Sequence, residues 1–178
     1  MKRFLAAALA AMLWTGAFAQ NNTFPAIDEI AQVENADGDL IADVFSLTRD
    51  GQTRYYLNVG ALGHGDEVLQ VVFDPVSKLY IPLGETFTEA FETMEKIQEL
   101  YGNEKDTVYE TEGNLAPLLP TDEMETVKIT TRKYLFSRKL EFSLEREDHI
   151  RATYLSKSDF NNLMFSLKVH RKLHPNLK

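Results

Sequence analysis

The dipeptide Asp50-Gly51 lies between two segments with the composition of strands, and it restricts the possible folds more than any other feature of this sequence. In the segment that follows it, Tyr55, Leu57 and Val59 share one face, as in a strand with one buried face. Asp-Gly favours a type I′ turn, because both central residues of that turn need positive φ angles. Residues 40–59 are therefore predicted to form an antiparallel β-hairpin.

A second turn signal, Asp-Pro-Val-Ser at residues 74–77, separates the apolar runs 68–73 and 78–83. Proline fixes the φ angle that the second residue of a common turn requires. Connections this short join antiparallel neighbours, whereas parallel strands need long crossovers that are usually helical. The sheet is therefore predicted to be antiparallel.

Residues 86–101 carry the clearest helical pattern in the chain. Thr86 and Glu89 have the spacing of a capping box, in which each side chain binds a backbone amide of the first turn. Gly102 is expected to take the left-handed conformation that often ends a helix. The apolar residues recur at three- and four-residue steps and form one stripe: Phe87, Ala90, Phe91, Met94, Ile97 and Tyr101.

The second half of the chain repeats this order of elements. Residues 127–136, 139–145 and 149–156 have the composition of strands. Residues 158–173 fit a helix that begins at Ser158 as its N-cap, although Phe165 to Val169 also alternate as a strand would. The helix is favoured, because the cap and a wide apolar arc agree.

These elements predict an α+β fold with an antiparallel sheet of about six to seven strands and two helices packed on one face. The predicted order is strands, helix, strands, helix. Residues 20–39 show little periodicity and are predicted to be a loose N-terminal arm, and residues 40–178 a single domain.

The first 19 residues have the layout of a secretory signal peptide. Lys2 and Arg3 precede an apolar run from Phe4 to Leu13, and small residues stand at Ala17 and Ala19. The run is too short to span a bilayer, so we expect cleavage and no membrane insertion afterwards. A bacterial periplasmic or secreted location is predicted, and the absence of cysteine means that the domain must be stable without disulfides.

Charge is distributed unevenly along the chain, whose formal net charge is −8. Residues 85–125 carry twelve acidic and two basic side chains, while residues 126–178 carry twelve basic and five acidic ones. The acidic total argues against nonspecific nucleic-acid binding. The basic third is left to face an anionic partner, solvent or the acidic region.

Residues 60–68, Gly-Ala-Leu-Gly-His-Gly-Asp-Glu-Val, offer one candidate site. His64 and Asp66 are candidates for metal binding or for an acid–base pair, and Glu67 is a further candidate binding residue. A catalytic zinc usually takes three protein ligands, and no third ligand lies nearby in the sequence. We therefore interpret the segment first as a glycine-rich bend, and we predict neither a metal nor a cofactor.

Residues 113–120 offer a second candidate, a loop stiffened by two prolines. Leu115, Pro117, Leu118 and Leu119 form either a rigid apolar contact surface or a cap that packs onto the core. Acidic residues flank the loop on both sides.

Two shorter patterns resemble metal sites but lack essential residues. Asn35 to Asp39 resembles part of a calcium loop, yet Val33 stands where the first aspartate belongs. His170 and His174 have the spacing of zinc ligands on a helix, but Arg171 replaces the glutamate that would act as the general base. We interpret the first pattern as a polar turn and the second as structural.

The sequence contains no nucleophile elbow, no phosphate-binding glycine loop and no cysteine nucleophile. The leading hypothesis is therefore a noncatalytic binding protein of the bacterial envelope, whose partner is a protein, a peptide or a glycan. One alternative is a hydrolase that uses His64, Asp66 and Glu67. Another is an enzyme inhibitor that acts through residues 113–120. The sequence does not determine the oligomeric state.

Overall fold

The computed structural model describes residues 25–60, 78–114, 124–146 and 149–177. Within these ranges the chain forms four strands, a helix, four further strands and a second helix. In chain order, these elements are β1 (Ala26–Glu34), β2 (Leu40–Arg49), β3 (Gln52–Gly60), β4 (Lys78–Gly84), α1 (Phe87–Leu100), β5 (Val108–Gly113), β6 (Glu125–Lys133), β7 (Arg138–Arg146), β8 (His149–Ser156) and α2 (Lys157–Leu173).

The strands form two four-stranded sheets, ordered β1-β2-β3-β4 and β5-β6-β7-β8, and every pairing is antiparallel. The α+β class and the antiparallel pairing are thus confirmed, but the single sheet of six to seven strands is wrong. Strands β4 and β5 lie next to each other without forming a continuous ladder. Tyr80 and Asn114 form an isolated bridge between them, with both N–H···O distances at 2.9 Å.

Strand β1 lies within residues 20–39, which the sequence predicts to be a loose arm. For residues 26–34, that prediction is wrong. The strand pairs with β2 along its length and buries only Ala31 and Val33. The register shifts between Glu29 and Ala31. That irregularity interrupts the two-residue period, so the strand has no clean alternation in its sequence.

The hairpin predicted at Asp50-Gly51 is confirmed. Asp50 has φ 52° and Gly51 has φ 79°, and Arg49 pairs with Gln52 across the turn. Both central residues thus have the positive φ angles of a type I′ turn. The turn predicted at residues 74–77 lies outside the described residues.

One core joins both sheets and both helices, since each sheet buries one face against them. Helix α1 packs on β4 of the first sheet, whereas α2 packs on β1 at the opposite edge of that sheet and on β7 and β8 of the second. The largest side chains that are almost fully buried include Phe87, Tyr101, Phe142 and Phe160.

Helix α1 begins as predicted and ends differently. The hydroxyl oxygen of Thr86 accepts a hydrogen bond from the Glu89 amide at 3.2 Å, and the Glu89 carboxylate accepts one from the Thr86 amide at 3.2 Å. Tyr101 is the C-cap and keeps a right-handed conformation, so the left-handed cap predicted at Gly102 is wrong. The last carbonyl groups accept hydrogen bonds from amides three residues on: Gln98 from Tyr101, Glu99 from Gly102 and Leu100 from Asn103.

Helix α2 confirms the helical interpretation of residues 158–173, but its N-cap lies two residues earlier than predicted, so the helix begins at Lys157. Ser156 rather than Ser158 is the N-cap, and its hydroxyl oxygen accepts a hydrogen bond from the Asp159 amide at 3.1 Å. Phe165, which belonged to the alternative strand pattern, is 69 % exposed. The buried side is instead the helical arc of Phe160, Leu163, Met164 and Leu167.

Tyr101 connects the end of α1 to the junction of β8 and α2. Its side chain is completely buried, and its hydroxyl lies 2.9 Å from the Leu155 carbonyl oxygen and 3.2 Å from that of Ser156. The ring centroid lies 5.5 Å from that of Phe160. Burial, with a smaller effect from Asp159, raises the pKa of Tyr101, so the phenol stays protonated and donates this hydrogen bond.

We expect Tyr101→Phe to lower the free energy of unfolding by about 1–2 kcal/mol, because buried carbonyl groups lose their hydrogen-bond donor. Urea denaturation of the variant and of the wild type measures this difference. Tyr109→Phe is the matched control, since Tyr109 is 46 % exposed on β5. Equal losses in the two variants would contradict the anchoring role of Tyr101.

Candidate functional site

The residues singled out in the sequence as candidate sites lie outside the described residues. They are His64, Asp66 and Glu67 in one segment, and Leu115, Pro117, Leu118 and Leu119 in another. The hydrolase and inhibitor hypotheses that depend on them stay predictions. Their described flanks lie near each other, because Asn114 pairs with Tyr80, two residues after the start of β4.

The segment from Asn35 to Asp39 is a polar turn between β1 and β2. The Asn35 side-chain oxygen accepts hydrogen bonds from the amides of Asp37 and Asp39, both at 2.9 Å, and Gly38 has φ 85°. An oxygen that accepts two backbone amides is engaged in closing the turn. The predicted turn is confirmed.

His170 and His174 are neighbours at the end of α2, with ring centroids 4.5 Å apart. His170 also packs on Phe87 of α1 at 5.5 Å, and Arg171 lies 4.0 Å from the centroid of Phe91. Burial, followed by the effect of His174, lowers the pKa of His170. These side chains hold α2 against α1, as the structural interpretation predicted.

The most exposed apolar group in the described chain is the turn that connects β6 and β7, which we call the hairpin tip and define as residues 133–138. The Tyr134 amide donates a hydrogen bond to the Ser137 carbonyl at 2.8 Å and closes the turn. Leu135 and Phe136 form its apex, and they are 89 % and 94 % exposed. Large apolar side chains exposed this fully and next to each other are typical of a contact surface.

The base of the hairpin tip is fixed by the end of α1. Arg138 Nη1 donates a hydrogen bond to the Tyr101 carbonyl oxygen at 2.5 Å, and Thr131 Oγ1 donates one to the Leu100 carbonyl oxygen at 2.9 Å. The last carbonyl groups of a helix have no partner within the helix and carry partial negative charge. A cation and a hydroxyl from the hairpin therefore stabilise the helix end, and in return they orient the hairpin.

An ion-pair network supports the outer face of β6 and β7. Arg132 donates two hydrogen bonds to the Glu141 carboxylate, at 3.0 and 2.7 Å, and one to Asp106 at 2.7 Å. Burial alone would raise the pKa of Glu141, but hydrogen bonds from Arg132 and Tyr154 outweigh it, so this pKa is lower than usual. Bidentate pairing of this kind restricts the rotation of both side chains.

Lysine side chains lie at the base of the hairpin tip. Lys139 Nζ lies 5.7 Å from the ring centroid of Tyr134 and 6.0 Å from that of Tyr154, within the range of cation–π attraction. Lys133 and Lys157 are exposed, and neither forms an ion pair within the described ranges. The apolar apex is thus surrounded at its base by positive charge.

An open cleft of about 710 Å³ lies between the hairpin tip and the start of α2. Residues 133–138 form one wall, and Ser156, Lys157 and Ser158 form the other. The hairpin tip therefore stands away from the helix instead of packing on it, which leaves both walls accessible.

Helix α2 carries a second, weaker apolar surface. Phe165, Val169 and Leu173 recur every four residues, and they are 69 %, 39 % and 71 % exposed. Residues four apart share one side of a helix, so the three form a stripe. The opposite side of α2 is buried. The stripe belongs to this helix and shares no residue with the hairpin tip.

The sequence analysis missed the hairpin tip because it extended a strand through Phe136. The arrangement Arg-Lys-Tyr-Leu-Phe-Ser-Arg-Lys at residues 132–139 contains a usable signal, since two cations stand on each side of the apolar triplet. Apolar residues between cations are less typical of a buried strand than of an exposed turn. The turn contains none of the residues Gly, Pro, Asn and Asp, which often mark a turn in a sequence.

The chain matches no protein-family model, and neither a curated protein nor a solved structure is significantly similar to it. Within the described ranges, no three His, Asp or Glu side chains are arranged to hold a metal ion. None of the helices described is long and apolar enough to cross a membrane.

We expect Glu141→Gln to lower the free energy of unfolding by about 1–2 kcal/mol at neutral pH, because Arg132 loses a charged acceptor. The folded state depresses the pKa of Glu141. Its stabilising effect is therefore full above the unfolded pKa and is lost as the pH falls through the lower, folded value.

Urea denaturation between neutral pH and pH about 3 should show the gap between wild type and Glu141→Gln closing at the acidic end. Glu104→Gln is the control, since Glu104 is an exposed residue of the loop between α1 and β5. A gap that is constant with pH would contradict the depressed pKa of Glu141.

Proposed function

We propose that this chain is a noncatalytic binding protein of the bacterial envelope, and that it contacts its partner through the hairpin tip. The observation that carries the proposal is the exposure of Leu135 and Phe136 side by side at the apex. The predicted signal peptide supports an envelope location, and it is the basis for placing the partner there.

The hairpin tip is already ordered, so binding costs it little conformational entropy. Its closing hydrogen bond and the bond from Arg138 to the Tyr101 carbonyl hold it before any partner arrives. Preorganised groups lose little conformational entropy on association, so more of the contact energy contributes to affinity.

The apex alone supports only weak binding. Complete burial of one leucine or phenylalanine side chain stabilises a complex by about 1.5–3 kcal/mol, so the two together contribute about 3–6 kcal/mol. The loss of translational and rotational freedom costs at least about 4 kcal/mol. Additional attraction is required, and the lysines around the apex are placed to supply it.

We expect the double variant Leu135→Ser, Phe136→Ser to bind envelope extract at least about tenfold more weakly than the wild type, because it loses both apolar contacts. The measurement is the amount of immobilised envelope material that each protein retains over a range of protein concentrations. Circular dichroism and urea denaturation confirm that the variant is folded.

Ile27→Ser is the matched control, since Ile27 is an apolar residue of the other sheet that is 51 % exposed. It should retain wild-type binding. If the double variant binds as the wild type does, or if Ile27→Ser loses as much, the hairpin tip is not the contact surface.

A further inference from the structure

We propose that the partner of the hairpin tip is the surface of an anionic phospholipid bilayer. This inference rests on the proposed function and names the chemistry of the partner. Leu135 and Phe136 enter the boundary between headgroups and acyl chains, while the lysines behind them contact lipid phosphates. The contact is shallow and differs from the insertion of a spanning segment.

The dimensions of the hairpin fit this arrangement. Lys133 precedes Leu135 by two residues, and an extended chain advances about 3.4 Å per residue, which places the Lys133 backbone about 7 Å behind the apex. Interfacial apolar groups are buried about 5–10 Å into the bilayer surface. When the apex is at that depth, the backbone of Lys133 lies near the phosphates, within reach of its long side chain.

The distribution of charge along the chain also favours contact with an anionic bilayer through the region that contains the hairpin tip. Residues 126–178, which include the hairpin tip and α2, carry twelve basic and five acidic side chains, a difference of +7. Residues 85–125 carry two basic and twelve acidic ones, a difference of −10. The outer face of α1 exposes Glu92, Glu95 and Glu99. An anionic surface attracts the region that contains the hairpin tip and repels the region that contains α1.

A lipid surface fits the hairpin tip better than a protein groove does. A standard protein interface covers about 800 Å² on each partner, and lysine is depleted there relative to the rest of the surface. Here the apolar area is limited to Tyr134, Leu135 and Phe136, and two exposed lysines beside it, Lys133 and Lys157, form no ion pair within the described ranges. A small apolar apex with lysines at its base matches an interface of phosphates above hydrocarbon.

The test is co-sedimentation of the full chain, processed as the cell processes it, with two kinds of vesicle. One is phosphatidylcholine alone, and in the other phosphatidylglycerol replaces about a third of it. We expect the wild type to bind the anionic vesicles at least about tenfold more tightly than the neutral ones, and to lose this preference as salt is raised.

The variants separate the apolar contribution from the charged one. We expect Leu135→Ser, Phe136→Ser to weaken binding to anionic vesicles at least about tenfold, since both anchors are lost. Lys133→Gln with Lys157→Gln should weaken it several-fold and reduce the dependence on salt. In Phe136→Trp, the tryptophan fluorescence should shift to shorter wavelength with anionic vesicles, as expected for an indole that leaves water.

Matched variants on other surfaces decide where the contact lies. Phe165→Ser with Leu173→Ser removes the stripe on α2, and Ile27→Ser removes an exposed residue of the other sheet; both should bind anionic vesicles as the wild type does. If the stripe variant loses binding and the hairpin-tip variant keeps it, the proposal is overturned.

The lipid proposal and the proposed function can fail separately. If the wild type ignores both kinds of vesicle while the hairpin-tip variant still loses binding to envelope extract, the lipid proposal is wrong and a protein or glycan partner replaces it. If the variant keeps its binding to both vesicles and extract, the proposed function fails as well. Equal binding to neutral and anionic vesicles would overturn the role of the lysines.

Discussion

The C-terminal end of α1 is the point on which the two halves of this fold depend. The Tyr101 hydroxyl binds the carbonyl groups at the junction of β8 and α2, and its own carbonyl accepts a hydrogen bond from Arg138. A helix end normally relies on a glycine cap or on water for its last carbonyl groups. Here the second sheet supplies the donors, so the contact that closes the core also fixes the direction of the hairpin between β6 and β7.

Local features of the sequence predicted the elements well, and they did not predict how the elements assemble. The turn at Asp50-Gly51 and the capping box of Thr86 are decided by residues next to each other, and both are confirmed. The number of sheets depends instead on where β5 lies relative to β4, which no local pattern encodes. At Gly102 the helix instead ends with hydrogen bonds from the Gly102 and Asn103 amides to the Glu99 and Leu100 carbonyls, without a left-handed residue.

The hairpin tip was hidden for a related reason. Tyr134, Leu135 and Phe136 have high strand propensity, and this favoured an extension of β6, yet the pairing of Lys133 with Arg138 ends the ladder before them. Exposure is a property of the assembled molecule, because it depends on whether another element covers a segment. The charge of this region was visible in the sequence. The basic composition of residues 126–178 indicated an anionic partner as one option.

The packing of α2 on β1 affects when the protein can complete its fold during synthesis. β1 is the first strand described, and α2 is the last helix, with 17 residues. Ribosomes release a chain from its N-terminus onwards, and domains usually fold as units once their residues have emerged. The inward face of β1, with Ala31 and Val33, therefore stays uncovered until α2 has also emerged. Until that point, the first sheet exposes part of the apolar face that it buries in the folded protein.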